Sequence, residues 1–422
     1  MKTLTVLILC LIIPFVLTAQ WYLQASGTTE NLASIYFADT LNGWVTGSNG
    51  AILHTDDAGE NWEEQTINTD YYLNDVFFTD PNHGWVVGSQ YDGYGQGSLF
   101  RTLNGGNNWK DMNFEDFPSN GVFFTDTLCG WAVGYGIKHT ADGGETWESQ
   151  NVPSGFGIAR CVWFTDSLNG WVSGGHSNGS TGYIYGYIIH TSDGGNTWEY
   201  QFYYADRHGY ELCDIYFTDS LNGWCVGGLW NDIILKTTNG GNSWDTSYYS
   251  TGNNGLYSVY FIDSFNGWAV GENGSIISTT DGGNTWESDT SNTSYHLKSV
   301  YFTENGHGWV VGDEGTILHA DYSQIVGLDE FGDHSFNLGI LCYPNPCSGT
   351  AFLRFTVNDY RLTICDLYSI SGLWIRRLVN EVMPAGVHEM ELDVSSLPDG
   401  IYILRLQADS EVVTRKLVKI NH

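Results

Sequence analysis

Residues Ile276–Glu287 read I-I-S-T-T-D-G-G-N-T-W-E, a β-rich run that enters a Gly-Gly turn and leaves through Trp286. Near-copies recur at Leu53–Glu63, Phe100–Lys110, Lys138–Glu148, Ile189–Glu199 and Leu235–Asp245. Self-similarity at a regular spacing indicates a repeat architecture, so this stretch decides the fold before any single motif does.

Each copy follows the pattern T-x-[DN]-x-G-x-[NTS]-W, which predicts a β-hairpin turn. The Asp or Asn side chain accepts hydrogen bonds from backbone N–H groups just downstream, and glycines take the positive φ angles. The Trp is expected to bury its ring between sheets while its N–H finds a partner. The predicted structural residues of this box are Trp62, Trp109, Trp147, Trp198, Trp244, Trp286, Asp57, Asp142, Asp193 and Asp281.

A second signature precedes each box: Val76–Gly88, for example, reads V-F-F-T-D-P-N-H-G-W-V-V-G. It indicates a strand, a tight turn and a second strand. Its tryptophan occurs seven times, as Trp44, Trp85, Trp131, Trp171, Trp224, Trp268 and Trp309. Signature and box together supply four short strands, the content of one propeller blade, so the sequence predicts an all-β, seven-bladed β-propeller.

The two ends of the repeat region predict how the propeller closes. The last copy, Val300–Ala320, lacks the box turn and its Trp. Trp21 lies 16 residues before Phe37, and Trp62 lies 16 residues before Phe78, so Trp21 stands where the seventh box Trp is missing. We therefore expect Gln20–Gln24 to complete the last blade and leave no open edge.

These boxes resemble Asp-box (BNR-type) repeats, and the F-T-D-x-x-x-G-W-x-V-G companion is similar to the photosystem II assembly-factor-like propeller family. The resemblance covers roughly residues 20–324 and implies the propeller fold. Asp-box propellers include sialidases, xyloglucan hydrolases and non-enzymatic binding proteins, so the resemblance leaves the activity open.

Charge and the N-terminus predict where the protein acts. Met1–Ala19 has Lys2 followed by an apolar run, which predicts a signal peptide too short to span a membrane, and we expect no transmembrane segment in the mature chain. The net charge is -32, and residues 20–334 hold 7 bases against 39 acids. Such a surface repels nucleic acid and anionic membranes and favours solubility outside the cell.

The cysteines give no sign of a metal site. Seven remain after the predicted signal peptide, and none has paired C-x-x-C zinc spacing. Cys161 with Cys213, or Cys342 with Cys347, is compatible with a disulfide in an oxidising compartment, and buried free thiols are equally compatible with the pattern. We expect neither a metal nor a cofactor.

The repeat ends at residue 324, and residues 325–341 are predicted to be a linker. Residues 342–422 form a second predicted domain, a small β-sandwich. Its strands are expected at Ala351–Val357, Arg361–Tyr368, Val387–Val394, Ile401–Ala408 and Val412–Ile420.

This second domain resembles the type IX secretion C-terminal sorting domain (type A). The resemblance rests on Tyr343-Pro344-Asn345-Pro346, on the Leu397–Tyr402 turn with Gly400 and Tyr402, and on the closing basic run with Lys416 and Lys419. It implies Sec export, then passage across the outer membrane by the type IX machinery. It further implies that the mature protein is released or tethered at the cell surface.

Two enzyme classes, sialidases and other glycoside hydrolases, are the alternatives to a binding protein. A sialidase needs converging arginines, yet Arg101 precedes a box, and Arg160 and Arg207 are expected in connections between blades at the opposite end. A glycoside hydrolase needs a pair of opposed carboxylates, and the recurrent turn acids (Asp39 and its equivalents) are better explained as turn caps. The loop acids that keep a hydrolase as the alternative are Asp116, Asp206 and Glu211.

The preferred prediction is a non-enzymatic binding module that contacts a glycan or a protein through aromatic loops. Tyr and Trp combine a flat apolar face with a polar edge, which suits sugar rings and peptide segments, and variable loops on a rigid scaffold are frequent binding sites. The predicted contact residues are Tyr72, Tyr94, Tyr183, Tyr185, Tyr187, Tyr204, Tyr210, Trp230 and Tyr249.

Overall fold

The structure is a computed structural model. It describes residues 21–91, 94–178, 183–206, 211–228, 231–252, 255–322, 339–343, 350–357, 361–369, 373–383, 386–398, 400–408 and 411–419. Residues 21–322 form seven four-stranded antiparallel sheets, which are the predicted seven blades. Each blade is a meander whose first strand is innermost and whose last strand is outermost.

The strands follow one another blade by blade. Blades 1 to 3 consist of β2 (Leu32–Phe37), β3 (Gly43–Gly47), β4 (Ile52–Thr55) and β5 (Glu63–Glu64); β6 (Tyr72–Phe78), β7 (Gly84–Tyr91), β8 (Tyr94–Thr102) and β9 (Lys110–Asp111); and β10 (Ser119–Phe124), β11 (Gly130–Gly134), β12 (Ile137–Thr140) and β13 (Glu148–Ser149). Blades 4 and 5 consist of β14 (Ile158–Phe164), β15 (Gly170–Asn178), β16 (Tyr183–Thr191) and β17 (Glu199–Asp206); and β18 (Leu212–Phe217), β19 (Gly223–Gly227), β20 (Asp232–Thr237) and β21 (Asp245–Ser250). Blades 6 and 7 consist of β22 (Leu256–Phe261), β23 (Gly267–Gly271), β24 (Ile276–Thr279) and β25 (Glu287–Asp289); and β26 (Leu297–Phe302), β27 (His307–Gly312) and β28 (Thr316–Asp321), joined by β1 (Tyr22–Gln24). Two short 3-10 turns, Ser48–Gly50 and Glu272–Gly274, link the second and third strands of blades 1 and 6.

The N-terminal strand closes the propeller, as predicted. β1 pairs antiparallel with β28, with Tyr22 opposite His319 and Gln24 opposite Ile317. Trp21 is buried beside it and contacts Phe302 and Tyr322 edge-on or tilted. The last blade is therefore built from both ends of the repeat region, and the outer edge of β28 is covered.

A closed circle of aromatic side chains lines the central channel. One residue of each innermost strand contributes, and neighbouring ring centroids are 4.5 to 5.2 Å apart all the way round. The seven residues are Tyr36, Phe77, Phe123, Trp163, Tyr216, Tyr260 and Tyr301. The contact between Tyr301 and Tyr36 joins blade 7 to blade 1, so this collar independently shows a sevenfold circle.

Two carboxylates tie innermost strands together next to this collar. Asp75 accepts the Ser34 hydroxyl of blade 1 at 2.8 Å and the Val122 N–H of blade 3 at 2.9 Å. Asp214 of blade 5 likewise links neighbouring innermost strands, because it accepts the Val259 N–H of blade 6 at 2.9 Å. Burial raises the pKa of Asp75 to about 7 and raises that of Asp214, although the hydrogen bonds act in the opposite direction.

The two ends of the propeller differ, as the sequence suggested. In blade 1, the box turn lies beside the turn between the first two strands, because the Ala58 N–H donates to the Leu41 carbonyl at 3.0 Å. The same bond recurs in later blades, for example from Gly194 to Leu168. We call this end the turn face. The opposite end, which holds the loops between second and third strands and the connections between blades, is the loop face.

The box turns have the predicted hydrogen bonds. In blade 4, Asp193 Oδ1 accepts the Thr197 N–H at 2.9 Å, and Gly194 and Gly195 have φ angles of 70° and 87°. These bonds lower the pKa of Asp193, and their equivalents lower that of Asp142 to about 2. The expectation for the box tryptophans is met in part: the Trp198 N–H donates to Gln150 Oε1 at 3.0 Å, whereas the buried N–H groups of Trp62 and Trp244 have no hydrogen-bond partner within the described residues.

Blade 1 has an alanine where the other boxes have a glycine, and this predicts a stabilising substitution. Ala58 has a φ of 61°, in the left-handed region that disfavours residues with a Cβ. We expect Ala58→Gly to raise the free energy of unfolding by about 0.5–1 kcal/mol, because the relief of strain exceeds the entropy that glycine adds to the unfolded chain. Urea unfolding of the two proteins measures this difference, and a lower midpoint for the variant would contradict it.

The C-terminal residues form two further sheets that enclose one core. A three-stranded sheet has the order β29 (Gly339–Tyr343), β30 (Thr350–Val357), β33 (Gly386–Asp393), and a four-stranded sheet has the order β32 (Trp374–Met383), β31 (Arg361–Ser369), β34 (Gly400–Ala408), β35 (Glu411–Lys419). Residues of both sheets, such as Leu353, Phe355, Leu367 and Leu404, are buried in this core. Two of these strands were not predicted. β29 begins at Gly339, inside the predicted linker, and β32 has a sequence that does not alternate. Two register shifts interrupt the pairing of β32 with β31.

Candidate functional site

The predicted contact residues are not all at the surface. Tyr183, Tyr204 and Tyr249 are exposed on the outer strands of blades 4 and 5, and Tyr72 is partly exposed at the start of β6. Tyr187 is fully buried in a core cluster with Trp131 and Trp198, so this residue does not belong to a contact surface. Tyr94 begins β8, but its side chain lies outside the described residues, as do Tyr210 and Trp230 entirely.

Blade 4 extends further at the loop face than its neighbours, blades 3 and 5, and it differs from blade 2, whose second and third strands have eight and nine residues, in its long fourth strand. β15, β16 and β17 have nine, nine and eight residues, whereas the corresponding strands of blade 1 have five, four and two. The extra residues lie at the loop-face ends of the strands, where His176 pairs with Tyr185 and Tyr187 with Tyr203. The result is a raised three-stranded sheet at one side of the loop face.

Aromatic rings cover one side of this raised sheet. Tyr183, Tyr185 and Tyr187 alternate along β16 and therefore share a face. Tyr185 stacks on His176 with 4.5 Å between centroids and lies 6.0 Å from Tyr203, which in turn packs against Tyr200 at 5.5 Å. We define the tyrosine cluster as His176, Tyr183, Tyr185, Tyr200 and Tyr203.

The cluster is rigid at its base and open at its top. Tyr187 lies beneath it and contacts Tyr200 and Phe156, while Tyr183 and Tyr203 are 38% and 49% exposed. Burial, followed by the nearby Tyr185, raises the pKa of Tyr203 further above neutral pH. The arrangement offers flat apolar faces with polar edges to a ligand.

Three cluster members were missed as contact residues by sequence reasoning. Tyr200 and Tyr203 lie on β17, and their approach to Tyr185 depends on the register between β16 and β17, which shifts between Ile188 and Ile189. His176 meets Tyr185 across β15 and β16. The alternation of Tyr183, Tyr185 and Tyr187 was the one local signal that pointed to a shared face.

The two arginines of the propeller that the structure describes, Arg101 and Arg160, do not converge. Arg160 was predicted in a connection between blades, but it lies in the innermost strand β14. Its guanidinium pairs with the Glu211 carboxylate at 2.9 Å. Arg101 lies on β8 and pairs with Glu145 of the next box at 3.0 Å. Arg207 lies outside the described residues. Arg101 and Arg160 therefore occupy opposite ends of the propeller.

The histidines before the boxes pack on tryptophans. His54 lies 4.7 Å from Trp44, and His190 lies 4.7 Å from Trp171, with equivalent contacts in blades 3 and 7. Burial lowers the pKa of these histidines, which keeps them neutral. Within the described ranges, no three or more His, Cys, Asp or Glu side chains are grouped as metal ligands would be.

Of the two alternatives for the cysteines of the propeller, the structure has the free thiols. Cys161 and Cys213 are free thiols on neighbouring innermost strands. The Cys161 thiol is 3.8 Å from the Ile215 carbonyl, and burial raises its pKa. Cys347 lies outside the described residues, so the structure does not test a disulfide between Cys342 and Cys347.

The sorting-signal residues occupy different parts of the C-terminal sandwich. The Tyr402 hydroxyl donates to the Pro398 carbonyl at 2.7 Å, which closes the turn before Gly400, and Lys419 is buried at the end of β35. Tyr343 ends β29 and Lys416 lies within β35, but neither side chain is described. Pro344, Asn345 and Pro346 are outside the described residues.

Solved structures similar to this chain are β-propellers. YCF48 bound to D1 peptide aligns at 21% identity with a TM-score of 0.57, over 71% of this chain and 96% of that one. The Niastella koreensis GH74 enzyme aligns at 11% identity and a TM-score of 0.58, over 95% and 75%. PorZ, a surface component of the type IX secretion system of Porphyromonas gingivalis, aligns at 14% identity and 0.50, over 90% and 58%. At these identities the likeness shows the fold.

Two other comparisons bear on identity and location. No curated protein sequence gave a significant match. In the described part of the chain, no helix has the length and apolar character needed to cross a bilayer.

Family models match both regions of the chain. The model described as secretion system C-terminal sorting domain matches residues 341–421, which supports export by type IX secretion to the cell surface or beyond it. The model described as photosynthesis system II assembly factor YCF48 matches residues 13–74, 61–154 and 248–324, together about half of the chain. The range between these matches, 155–247, contains blades 4 and 5. The chain therefore belongs to the YCF48 assembly-factor family of seven-bladed β-propellers and has a type IX sorting domain as its C-terminal module.

Proposed function

We propose that this protein is a non-enzymatic binding module of the cell surface or extracellular space, and that the tyrosine cluster on blade 4 is its ligand-contact site. The ligand is a glycan or a protein segment. The observation that supports this most is the continuous contact among His176, Tyr185, Tyr203 and Tyr200 on a part of the propeller raised above its neighbours. Aromatic residues of this kind dominate contact surfaces because they bury large area at low entropic cost.

Two further observations support this location. Blades 4 and 5 keep the box and the signature tryptophan of the other blades, but they lie in the range 155–247 that the family match leaves out, and blade 4 has longer strands where the tyrosines are concentrated. The same blades hold the exposed Tyr204 and Tyr249. A segment that differs from a shared scaffold and exposes aromatic rings is typical of a binding specificity added to that scaffold.

The type IX sorting domain sets where this binding is proposed to occur. The proposed sequence of events is removal of residues 1–19, export, and either release or tethering at the outer membrane surface. The proposed division of the chain is a propeller at 20–324, a linker that starts at residue 325 and ends before β29 at Gly339, and a sorting domain that includes β29 and residues 342–422. Export is tested by assaying the mature protein outside the cells. We expect the protein to be absent there when residues 342–422 are deleted.

Substitutions in the cluster test the binding site. We expect the double variant Tyr185→Ala, Tyr203→Ala to weaken binding at least tenfold to any glycan or peptide that an array identifies, because two stacking faces are removed. Leu168→Ala is the matched control, since Leu168 is 54% exposed on the turn face of the same blade. Equal affinity of the double variant and the wild-type protein would refute the site.

The hydrolase alternative needs two free opposed carboxylates. Of its candidate acids, Glu211 is 2.9 Å from the Arg160 guanidinium and Asp116 is exposed in the connection that leads to blade 3, while the Asp206 side chain lies outside the described residues. A hydrolysis assay on each glycan bound in the array decides between the two functions.

A further inference from the structure

We propose that the outer edge of β17 binds an extended polypeptide segment as an added strand. This inference rests on the proposed function, which places binding at blade 4, and it selects a protein segment as the ligand. β17 is the outermost strand of its sheet, and no other described strand pairs with it on the outer side. The backbone of an edge strand presents N–H and C=O groups in a row that only another strand matches.

The length of β17 distinguishes it from the other outer strands of the propeller. It has eight residues, whereas β5, β9 and β13 have two, and β1 and β25 have three. A very short outer strand is a common protection against unwanted pairing, and five blades use it. Only β21 of blade 5 comes near, with six residues. Blade 4 is thus the place where this protection is most clearly absent.

The sequence of β17 has few protective residues, since its two charged residues, Glu199 and Asp206, lie at its ends. It reads E-Y-Q-F-Y-Y-A-D, with neither lysine nor proline. The single register shift against β16 lies near its start, and Phe202 to Asp206 then pair in unbroken register with Ile188 to Ile184. The loop-face half of β17 is therefore a regular edge long enough for four or five residues of an added strand.

Side chains on both faces of β17 suit a partner with alternating apolar residues. Tyr203 belongs to the tyrosine cluster, and Tyr204 points to the other face, opposite Gly186. Side chains of an added strand would lie about 5 Å from these rings, where aromatic and β-branched residues pair best. One row of the added strand would therefore contact the tyrosine cluster itself.

The net charge disfavours a second copy of this chain as the occupant of the β17 edge and favours a different molecule. Each chain has a net charge of -32, so two copies repel one another at an edge without bases. A neutral or basic segment has no such cost. The occupant inferred is thus an extended, uncharged or cationic segment with aromatic or β-branched residues at every second position.

The test uses the full chain and a displayed library of random ten-residue peptides. We expect apolar residues at every second position of the selected peptides. An added strand donates hydrogen bonds to β17 from every second backbone N–H. N-methylation of those amides should therefore lower the affinity about tenfold, whereas N-methylation of the intervening amides should leave it unchanged. Tyr204→Lys should abolish selection, since a lysine beside the edge opposes pairing. Ser288→Lys is the control, as Ser288 is exposed on the three-residue strand β25.

The outcomes separate this inference from the proposed function. Glycan binding that needs Tyr185, with no peptide selected, overturns the strand-addition inference and leaves the binding site in place. Absence of any ligand in both screens overturns both. Equal loss of affinity on N-methylation of either set of amides overturns the inferred added strand. A dimer of the protein that sedimentation detects and that Tyr204→Lys dissociates shows a second copy at this edge, and it also overturns the inferred occupant.

Discussion

Trp21→Ala is expected to lower the free energy of unfolding by about 3–5 kcal/mol, the usual cost of removing a large buried aromatic side chain. Trp21 is 1% exposed and lies in a core cluster with Trp268, Val300 and Phe302, which belong to the last two blades. Its loss leaves a cavity at the seam where the two ends of the repeat region meet. Urea unfolding followed by circular dichroism measures the change.

Removing the whole closing strand should have a larger effect. A protein that begins at Ala25 lacks the partner of β28, so the backbone groups paired with Tyr22–Gln24 become exposed. We expect this protein to aggregate or to unfold in the absence of denaturant. Leu23→Ala is the control within the same strand, because Leu23 is 70% exposed and its truncation should change stability by less than about 0.5 kcal/mol. Equal stability of the Trp21→Ala and Leu23→Ala proteins would contradict the role of the seam.

The second large effect concerns pH and Asp75. Its pKa is about 7 in the folded protein, above the value of about 3.9 for an unfolded chain. The folded state therefore retains a proton that the unfolded state has lost between these values. The contribution of Asp75 to stability is greatest below pH 4 and is lost as the pH rises through 7, with a slope of up to about 1.4 kcal/mol per pH unit.

Asp75→Asn isolates this contribution. We expect the difference in unfolding free energy between wild-type and variant to be largest near pH 4 and to shrink towards pH 8, because the amide does not titrate. Asp193→Asn is a control of opposite sign: hydrogen bonds lower the pKa of Asp193, so its contribution is present above pH 4 and constant from pH 5 to 8. A difference for Asp75→Asn that does not vary with pH would show that this carboxylate titrates normally.

Asp75 also explains how the innermost strands are held in order. Its two oxygens connect blades 1, 2 and 3, and Asp214 connects blades 5 and 6. Ser258 and Ser299 make the corresponding contacts from blades 6 and 7, by accepting the N–H groups of Val300 and Ile35 at 3.3 Å. A polar layer of the channel thus stabilises the circular order of blades, and two of its members do so at a cost in burying charge.

The sequence alone determined the number of blades, the two kinds of turn and the closure by Trp21. Each of these follows from contacts within about 15 residues or from a spacing that every copy repeats, such as the bond from Asp193 to the Thr197 N–H. Local hydrogen bonds and periodic burial are readable in one sequence because neighbouring residues impose them.

Tertiary structure decided which aromatic residues share a surface and which are buried. Tyr187 is buried and Tyr203 is exposed although the two pair across β16 and β17 on the same face of the sheet. Tyr187 is covered by Phe156, Tyr200 and side chains of blade 3, whereas Tyr203 lies on the outermost strand. The channel position of Asp75 likewise depends on Ser34 and Val122, which are 41 and 47 residues away. Contacts between blades join residues that are distant in the chain, so their identity is set only when all seven blades are in place.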